Sequence, residues 1–169
     1  TCDVTSYQPL LDDSLLSDFD TNYKVNPPLR ESKDQDALLK GLKDGTIDIL
    51  CSGHTPHDDE SKVLEFDMAE FGIINLQTFA AQLTSLSEEI EWSDLIGRVT
   101  DNPRRILGME VPVIDVDAKA NLTLFDPSRE WTFTSEDNKS ASKNSPWLGK
   151  ILKGKAIGCV NNNRQWFNV

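Results

Sequence analysis

The sequence predicts an α/β unit followed by a small β unit, and three observations carry that expectation. Residues 32–44 have the spacing of an amphipathic helix, with Ala37, Leu38, Leu39 and Leu42 on one face and Gly45 to stop it. Residues 47–51 follow at once as a run dominated by β-branched and apolar side chains, which suits a buried strand of a parallel sheet. Helix, tight turn and strand make half of a βα repeat. From about Val111 the character changes. Residues 111–116, 121–125 and 130–134 are rich in β-formers and lie between Asp, Pro and Ser turns. The expected boundary lies near Met109, giving an α/β part over residues 1–109 and a small β domain over residues 110–169.

The elements follow in order. Residues 1–5 are short and β-prone, and 6–9 read as a polar loop. Residues 10–19 suit a short helix, with Asp12, Asp13 and Ser14 near its start. In Lys24-Val25-Asn26-Pro27-Pro28-Leu29-Arg30 two prolines fix φ and push Asn26 out of the helical region. That segment is either a rigid connector or a device that holds Asn26 and Arg30 towards a ligand. Ser32 or Asp34 can cap the helix over 32–44. Spacing predicts further helices over 74–86, through Ile74, Phe79, Leu83 and Leu86, and over 93–99 with Ser93 as cap. Residues 102–108 open with Pro103 at the first helical position and close with Gly108. Arg104 and Arg105 there could bind an anion or form surface ion pairs. Residues 135–145 are polar and read as a mobile loop. Residues 156–160 and 164–169 pair as a hairpin across Asn161-Asn162-Asn163, since asparagine tolerates positive φ.

Composition narrows the function. The 169 residues carry a net charge of -11, from 28 Asp and Glu against 17 Lys and Arg. Nucleic acids and anionic membranes are held by clustered Lys and Arg, so this balance argues against both. The ordinary consequence of such acidity is solubility. No apolar run approaches the roughly 18 residues that span a bilayer, and no signal-peptide pattern opens the chain. Cys2, Cys51 and Cys159 are scattered and odd in number. They read as reduced core residues of a cytoplasmic protein, with no CxxC pair for zinc. The start at Thr1 fits a processed product or a fragment.

The chemistry should sit in the loop after the strand, since α/β folds place their sites at the carboxyl ends of strands. Both histidines of the chain, His54 and His57, lie there. Two histidines do not complete a catalytic zinc site, which takes three protein ligands and an open position. Asp58, Asp59 or Glu60 could supply a third, or the three could be solvated loop charge. A Cys51–His54 nucleophile pair is conceivable, but Cys51 belongs to the buried strand, where thiols are usually inert. Gly41, Gly45 and Gly53 do not have the spacing of a phosphate loop or dinucleotide fingerprint.

Several segments resemble a known family in its order and over nearly the whole chain. They are Lys24-Val25-Asn26-Pro27-Pro28-Leu29-Arg30, the strand ending in His54-Thr55-Pro56-His57, Phe71-Gly72-Ile73, and Asn102-Pro103 with Ile106-Leu107-Gly108. Ala120-Asn121-Leu122, Phe125-Asp126-Pro127, Ser145-Pro146-Trp147, Gly149 and Gly154-Lys155 complete the set. Together they resemble the C-terminal part of class I dihydroorotases, of the amidohydrolase superfamily. The resemblance implies a TIM barrel with a small β domain built from both chain ends. This chain would hold barrel strands six to eight and the C-terminal share of the β domain. It is too short to close a barrel, which takes about 250 residues, and too short to be active alone.

Two departures from the family pattern decide the implied function. The family's Asp-His-x-Pro-His motif carries an aspartate that touches the metal and serves as general acid and base; here Gly53 stands in its place. The family's Glu-Val-Thr-Pro segment leads to a zinc-binding histidine; here Asp3-Val4-Thr5-Ser6 leads to Tyr7. Tyrosine titrates near about pH 10 and is a poor zinc ligand at neutral pH. Asn26 and His57 match positions that contact substrate. The resemblance therefore implies zinc in active members and no cofactor held by this chain. It implies a degenerate homologue that serves as structural partner of aspartate transcarbamoylase in pyrimidine biosynthesis, homo-oligomeric at full length. The alternative is an active zinc-dependent cyclic-amide hydrolase, a dihydroorotase or a hydantoinase- or allantoinase-like enzyme, in which His54, His57 or Asp58 takes over metal or base duties. A third reading is a module that binds a pyrimidine-like ligand through Asn26 and His57.

Overall fold

The computed structural model describes residues 1–167. Strands β1 (Asp3–Thr5) and β2 (Ile49–Cys51) pair in parallel, with Val4 opposite Leu50 and Thr5 opposite Cys51. Parallel neighbours need a long crossover. Here it runs through two 3₁₀ turns, Asp13–Leu16 and Thr21–Tyr23, and helix α1 (Ser32–Asp44). Helix α1 forms on the expected residues and ends at Gly45 in the left-handed region, φ 88°. Its N-cap is Glu31, without a side-chain hydrogen bond, and not Ser32 or Asp34. Strand β2 is two residues shorter at its start than the apolar run. Ile47 N–H turns back to the Gly41 carbonyl and Asp48 N–H bonds the Cys2 carbonyl, so the ladder begins only at Ile49. The helix expected over 10–19 shrinks to the turn Asp13–Leu16, with Asp12 capping it and Phe19 beyond it at φ 55°. The proline segment forms no strand. Its Asn26–Pro27 peptide is cis, and Gln8 Nε2 donates to the Pro27 carbonyl at 2.7 Å.

A short turn of helix, α2 (Asp59–Lys62), occupies the expected acidic loop. Helix α3 (Phe79–Leu86) starts later than its apolar spacing implies, because Ile74 and Asn75 are held by residues distant in the chain. Helix α4 (Trp92–Val99) takes Glu91, not Ser93, as its N-cap. Helix α5 (Asp101–Ile106) starts two residues ahead of Pro103. The core has two clusters. Val4, Leu42, Leu50, Leu83, Leu86, Ile90 and Leu95 pack where β1 and β2 meet α1, α3 and α4. Tyr7, Leu11, Val25, Leu29 and Ile73 form the second, with Trp147 against it.

The remaining strands, β3 (Asn121–Thr132), β4 (Ile151–Asn161) and β5 (Arg164–Phe167), form an antiparallel sheet in chain order, with α3 resting on β4. The β4–β5 turn places Asn162 at φ 53°, the role expected of the asparagine run; residues 168 and 169 of that expected strand lie outside the described residues. The strand expected over 111–116 does not form. Pro112 has no N–H, Val116 N–H bonds the Asp115 carboxylate, and Ile114 and Val116 are almost fully exposed. The thiols also differ from expectation. Cys2 and Cys159 are exposed and Cys51 is half-buried, so none belongs to the core, and all three are free. The end of the polar segment 135–145 is not loose, because Asn144 and Ser145 are buried and Asn144 is bonded on all sides. Among the described residues no helix is long and apolar enough to cross a membrane.

Candidate functional site

Side chains alternate along a strand, so the end of β1 presents two different surfaces. Thr5 and Tyr7 face one way, towards the loop that leaves β2. Gly53 lies against both. It sits at φ 60°, and a Cβ there would stand 2.6 Å from Thr5 Cγ2 and 2.7 Å from Tyr7 Cε1. The two positions at which the chain departs from the dihydroorotase pattern are thus in contact. Tyr7 is buried among Leu11, Val25, Leu29 and Ile73. Burial pushes its phenol above the usual tyrosine range, with the Thr5 hydroxyl offsetting part of the rise and the neighbouring Cys51 adding to it. Among the described residues Thr5 Oγ1 nevertheless lies outside hydrogen-bonding geometry with any group and is buried without a partner.

Ser6 faces the other way, into a polar cluster. Asn75 Nδ2 donates to Ser6 Oγ at 3.0 Å, to the Ser52 carbonyl at 2.6 Å and to Gln82 Oε1 at 3.0 Å. Its Oδ1 accepts from Thr78 Oγ1 at 2.8 Å and from Gln82 Nε2. Ser6, Asn75, Thr78 and Gln82 are all buried. The cluster ties the ends of β1 and β2 to α3, and each buried polar atom has a partner, as burial requires.

The histidine loop is fastened in the same manner. His54 bridges to Ile73, and its Nδ1 accepts the backbone N–H of Asn75 at 2.9 Å and of Leu76 at 3.3 Å. That nitrogen therefore carries no proton and is closed to a metal. Burial lowers the His54 pKa, which keeps the ring neutral. His57 Nε2 donates to the Phe71 carbonyl at 3.0 Å, and its backbone N–H donates to Asn144 Oδ1 at 3.2 Å. Asp58 caps α2 by accepting from Ser61 N at 2.8 Å and Ser61 Oγ at 2.6 Å, while Asp59 and Glu60 are exposed. Asn26 is exposed, and no hydrogen bond joins it to His57. Arg30 makes an exposed pair with Asp34, at 3.8 Å. Burial, with Asp3 beside it, raises the Cys51 thiol to about 11. A thiol at that value is no nucleophile at neutral pH.

Sequence reasoning missed a second set of anchors. Lys62 Nζ donates to the carbonyls of Thr21, Glu70 and Gly72 at 2.6, 2.8 and 3.1 Å. Three carbonyls match the three N–H groups of an ammonium, while burial and the nearby Lys24 draw its pKa down to about 8. Lys24 Nζ donates to the Asp67 carbonyl and stands 4.6 Å from the centre of the Phe71 ring. Asn144 Nδ2 donates to the carbonyls of Thr55 and Gly72. Only an unusual buried cation or amide marks these positions, and burial is not visible in the letters.

The zinc of active family members does not fit these residues. Gly53 has no donor, Tyr7 is enclosed by apolar side chains, and His54 Nδ1 is taken by backbone N–H groups. Among the described residues no three His, Cys, Asp or Glu side chains converge on one point.

Comparison with known proteins places this geometry. The fold is shared with amidohydrolases. An L-hydantoinase (dihydropyrimidinase) from Arthrobacter aurescens superposes with a TM-score of 0.83 at 19% identity, over 97% of this chain and 38% of that one. An inactive dihydroorotase-like domain of a CAD-like multifunctional protein from Chaetomium thermophilum superposes at 0.65 with 20% identity, over 98% of this chain and 43% of that one. In sequence, the dihydroorotase of Geobacter sp. (strain M21) is 38% identical over 162 residues, which is 95% of this chain and 38% of that protein. Over nearly all of its own length the chain is similar to dihydroorotases. It spans well under half the length of the curated relatives it matches. No protein-family model matches the chain.

Proposed function

We propose that the chain is the C-terminal part of a dihydroorotase-like protein of pyrimidine biosynthesis that has no metal chemistry and serves as a structural partner of aspartate transcarbamoylase. The observation that carries this reading is the Tyr7–Gly53 contact, where a zinc ligand and the catalytic carboxylate are replaced by a buried aromatic ring and a residue without a side chain. The structural bonds made by His54, His57 and Asp58 add support, because they occupy one ring nitrogen of each histidine and one oxygen of the carboxylate that a relocated site would draw on. The existence of an inactive dihydroorotase-like domain with this fold adds more. On this reading residues 1–109 are the last part of a barrel and residues 110–169 a share of a composite β domain. The two-stranded parallel sheet supports it, since parallel strands are ordinarily flanked and covered on both faces. The protein is cytoplasmic and homo-oligomeric at full length.

Metal analysis and a hydrolase assay on the full-length protein test the proposal. The expected result is no bound zinc, no conversion between dihydroorotate and carbamoyl aspartate, and co-elution with aspartate transcarbamoylase in gel filtration. One zinc per chain with clear turnover overturns it in favour of the active cyclic-amide hydrolase. Titration with orotate separates the ligand-binding reading: saturable binding lost on Asn26→Ala supports a retained pocket.

A further inference from the structure

We infer that Tyr7 and Gly53 form a mutually locked pair, in which the tyrosine ring fills the volume that any side chain at position 53 would need. The inference rests on the reading that this chain has no zinc chemistry, and it predicts that replacing one of the two residues alone does not bring that chemistry back. A Cβ at position 53 would meet Thr5 Cγ2 at 2.6 Å and Tyr7 Cε1 at 2.7 Å, both closer than non-bonded carbons approach. The two neighbours differ in their freedom to yield. Thr5 can turn its methyl away by changing χ1 between staggered positions, while its Cβ, 3.0 Å from the same point, stays in place in every background. The Tyr7 ring cannot withdraw. It is 3% exposed and enclosed by Leu11, Val25, Leu29 and Ile73, and protein interiors of this kind leave no space for a ring to move into. Tyr7 is therefore the hard contact that a change at residue 7 can relieve. The contact is made by a ring carbon and not by the phenol oxygen, so the lock belongs to the ring and persists when the hydroxyl is removed.

A double-mutant cycle on the full-length protein tests the pair. Gly53→Ala and Gly53→Asp are each made with Tyr7 intact, with Tyr7→Phe and with Tyr7→Ala. The midpoint of thermal unfolding and the zinc content are read for each. The left-handed backbone at residue 53 penalises any side chain equally in every background, so it cancels from the cycle. The lock predicts that Gly53→Ala lowers the midpoint by about twice as much with Tyr7 or Tyr7→Phe as with Tyr7→Ala, since contacting residues are non-additive. If Gly53→Ala fails to fold beside Tyr7 yet folds beside Tyr7→Ala, the lock is supported. Equal losses in all three backgrounds, or failure to fold in all three, overturn it. Stoichiometric zinc in the unaltered protein is a different result, since it overturns the reading of function whatever the cycle gives.

Discussion

The two surfaces at the end of β1 have the same origin and opposite character. On the Ser6 side, four buried polar side chains satisfy one another and join β1, β2 and α3. On the Thr5–Tyr7 side, the space is filled by a ring and a methyl, and one hydroxyl is left without a partner. The first is a polar network that earns its burial by complete pairing. The second is an apolar plug in a place where the resemblance leads one to expect polar, metal-binding groups. The difference teaches that one strand end can be tied into the scaffold by paired polar groups on one side and sealed by close apolar contact on the other.

Substitutions can break this contrast. The largest effect is expected for Asn75→Ala, which removes the hub and leaves the buried Ser6, Thr78 and Gln82 with only the Ser6–Gln82 and Gln82–Thr78 bonds between them. The loss should be about 3 kcal/mol or more in a urea titration. Ser6→Ala removes one member only and should lose about 1–2 kcal/mol in the same titration. A smaller effect concerns pH. Burial lowers the His54 pKa in the fold, so between that value and the unfolded value near about 6.5 the unfolded chain binds more protons. The His54 contribution is full above that unfolded value and is lost as pH falls through the window. Urea midpoints should fall from pH 7.5 to pH 5.5, and by less in His54→Gln, as roughly bracketed by the reference titration. The smallest effect is expected for Thr5→Val. It replaces an unpaired buried hydroxyl by a methyl of similar shape and should change stability by no more than about 0.5 kcal/mol in either direction. A loss there as large as that at Ser6 removes the contrast.

Much of the scaffold was legible because it is local. Helix α1 follows from apolar spacing and a terminating glycine, and the β4–β5 turn follows from an asparagine that accepts positive φ. The late start of α3 was not legible, because Asn75 is drawn out of the helix by Ser6 and Ser52, and the first of these lies 69 residues away in sequence. Residues 111–116 carry β-formers, yet a strand needs a neighbour and Pro112 denies one hydrogen bond from the start. At the site, family resemblance singled out Gly53 and Tyr7 as separate departures. Their contact was invisible, since only the fold brings the two loops together. His54 and His57 looked like ligands because of their residue type, whereas one ring nitrogen of each, His54 Nδ1 and His57 Nε2, serves a backbone group.

The left-handed, enclosed position of Gly53 has a consequence for reading mutational libraries of this chain. A selection that demands only folding should return glycine at this position almost without exception. Such invariance is easily taken as the mark of an active centre. Here it would record the opposite: a residue retained because its neighbours leave room for a hydrogen atom and nothing larger.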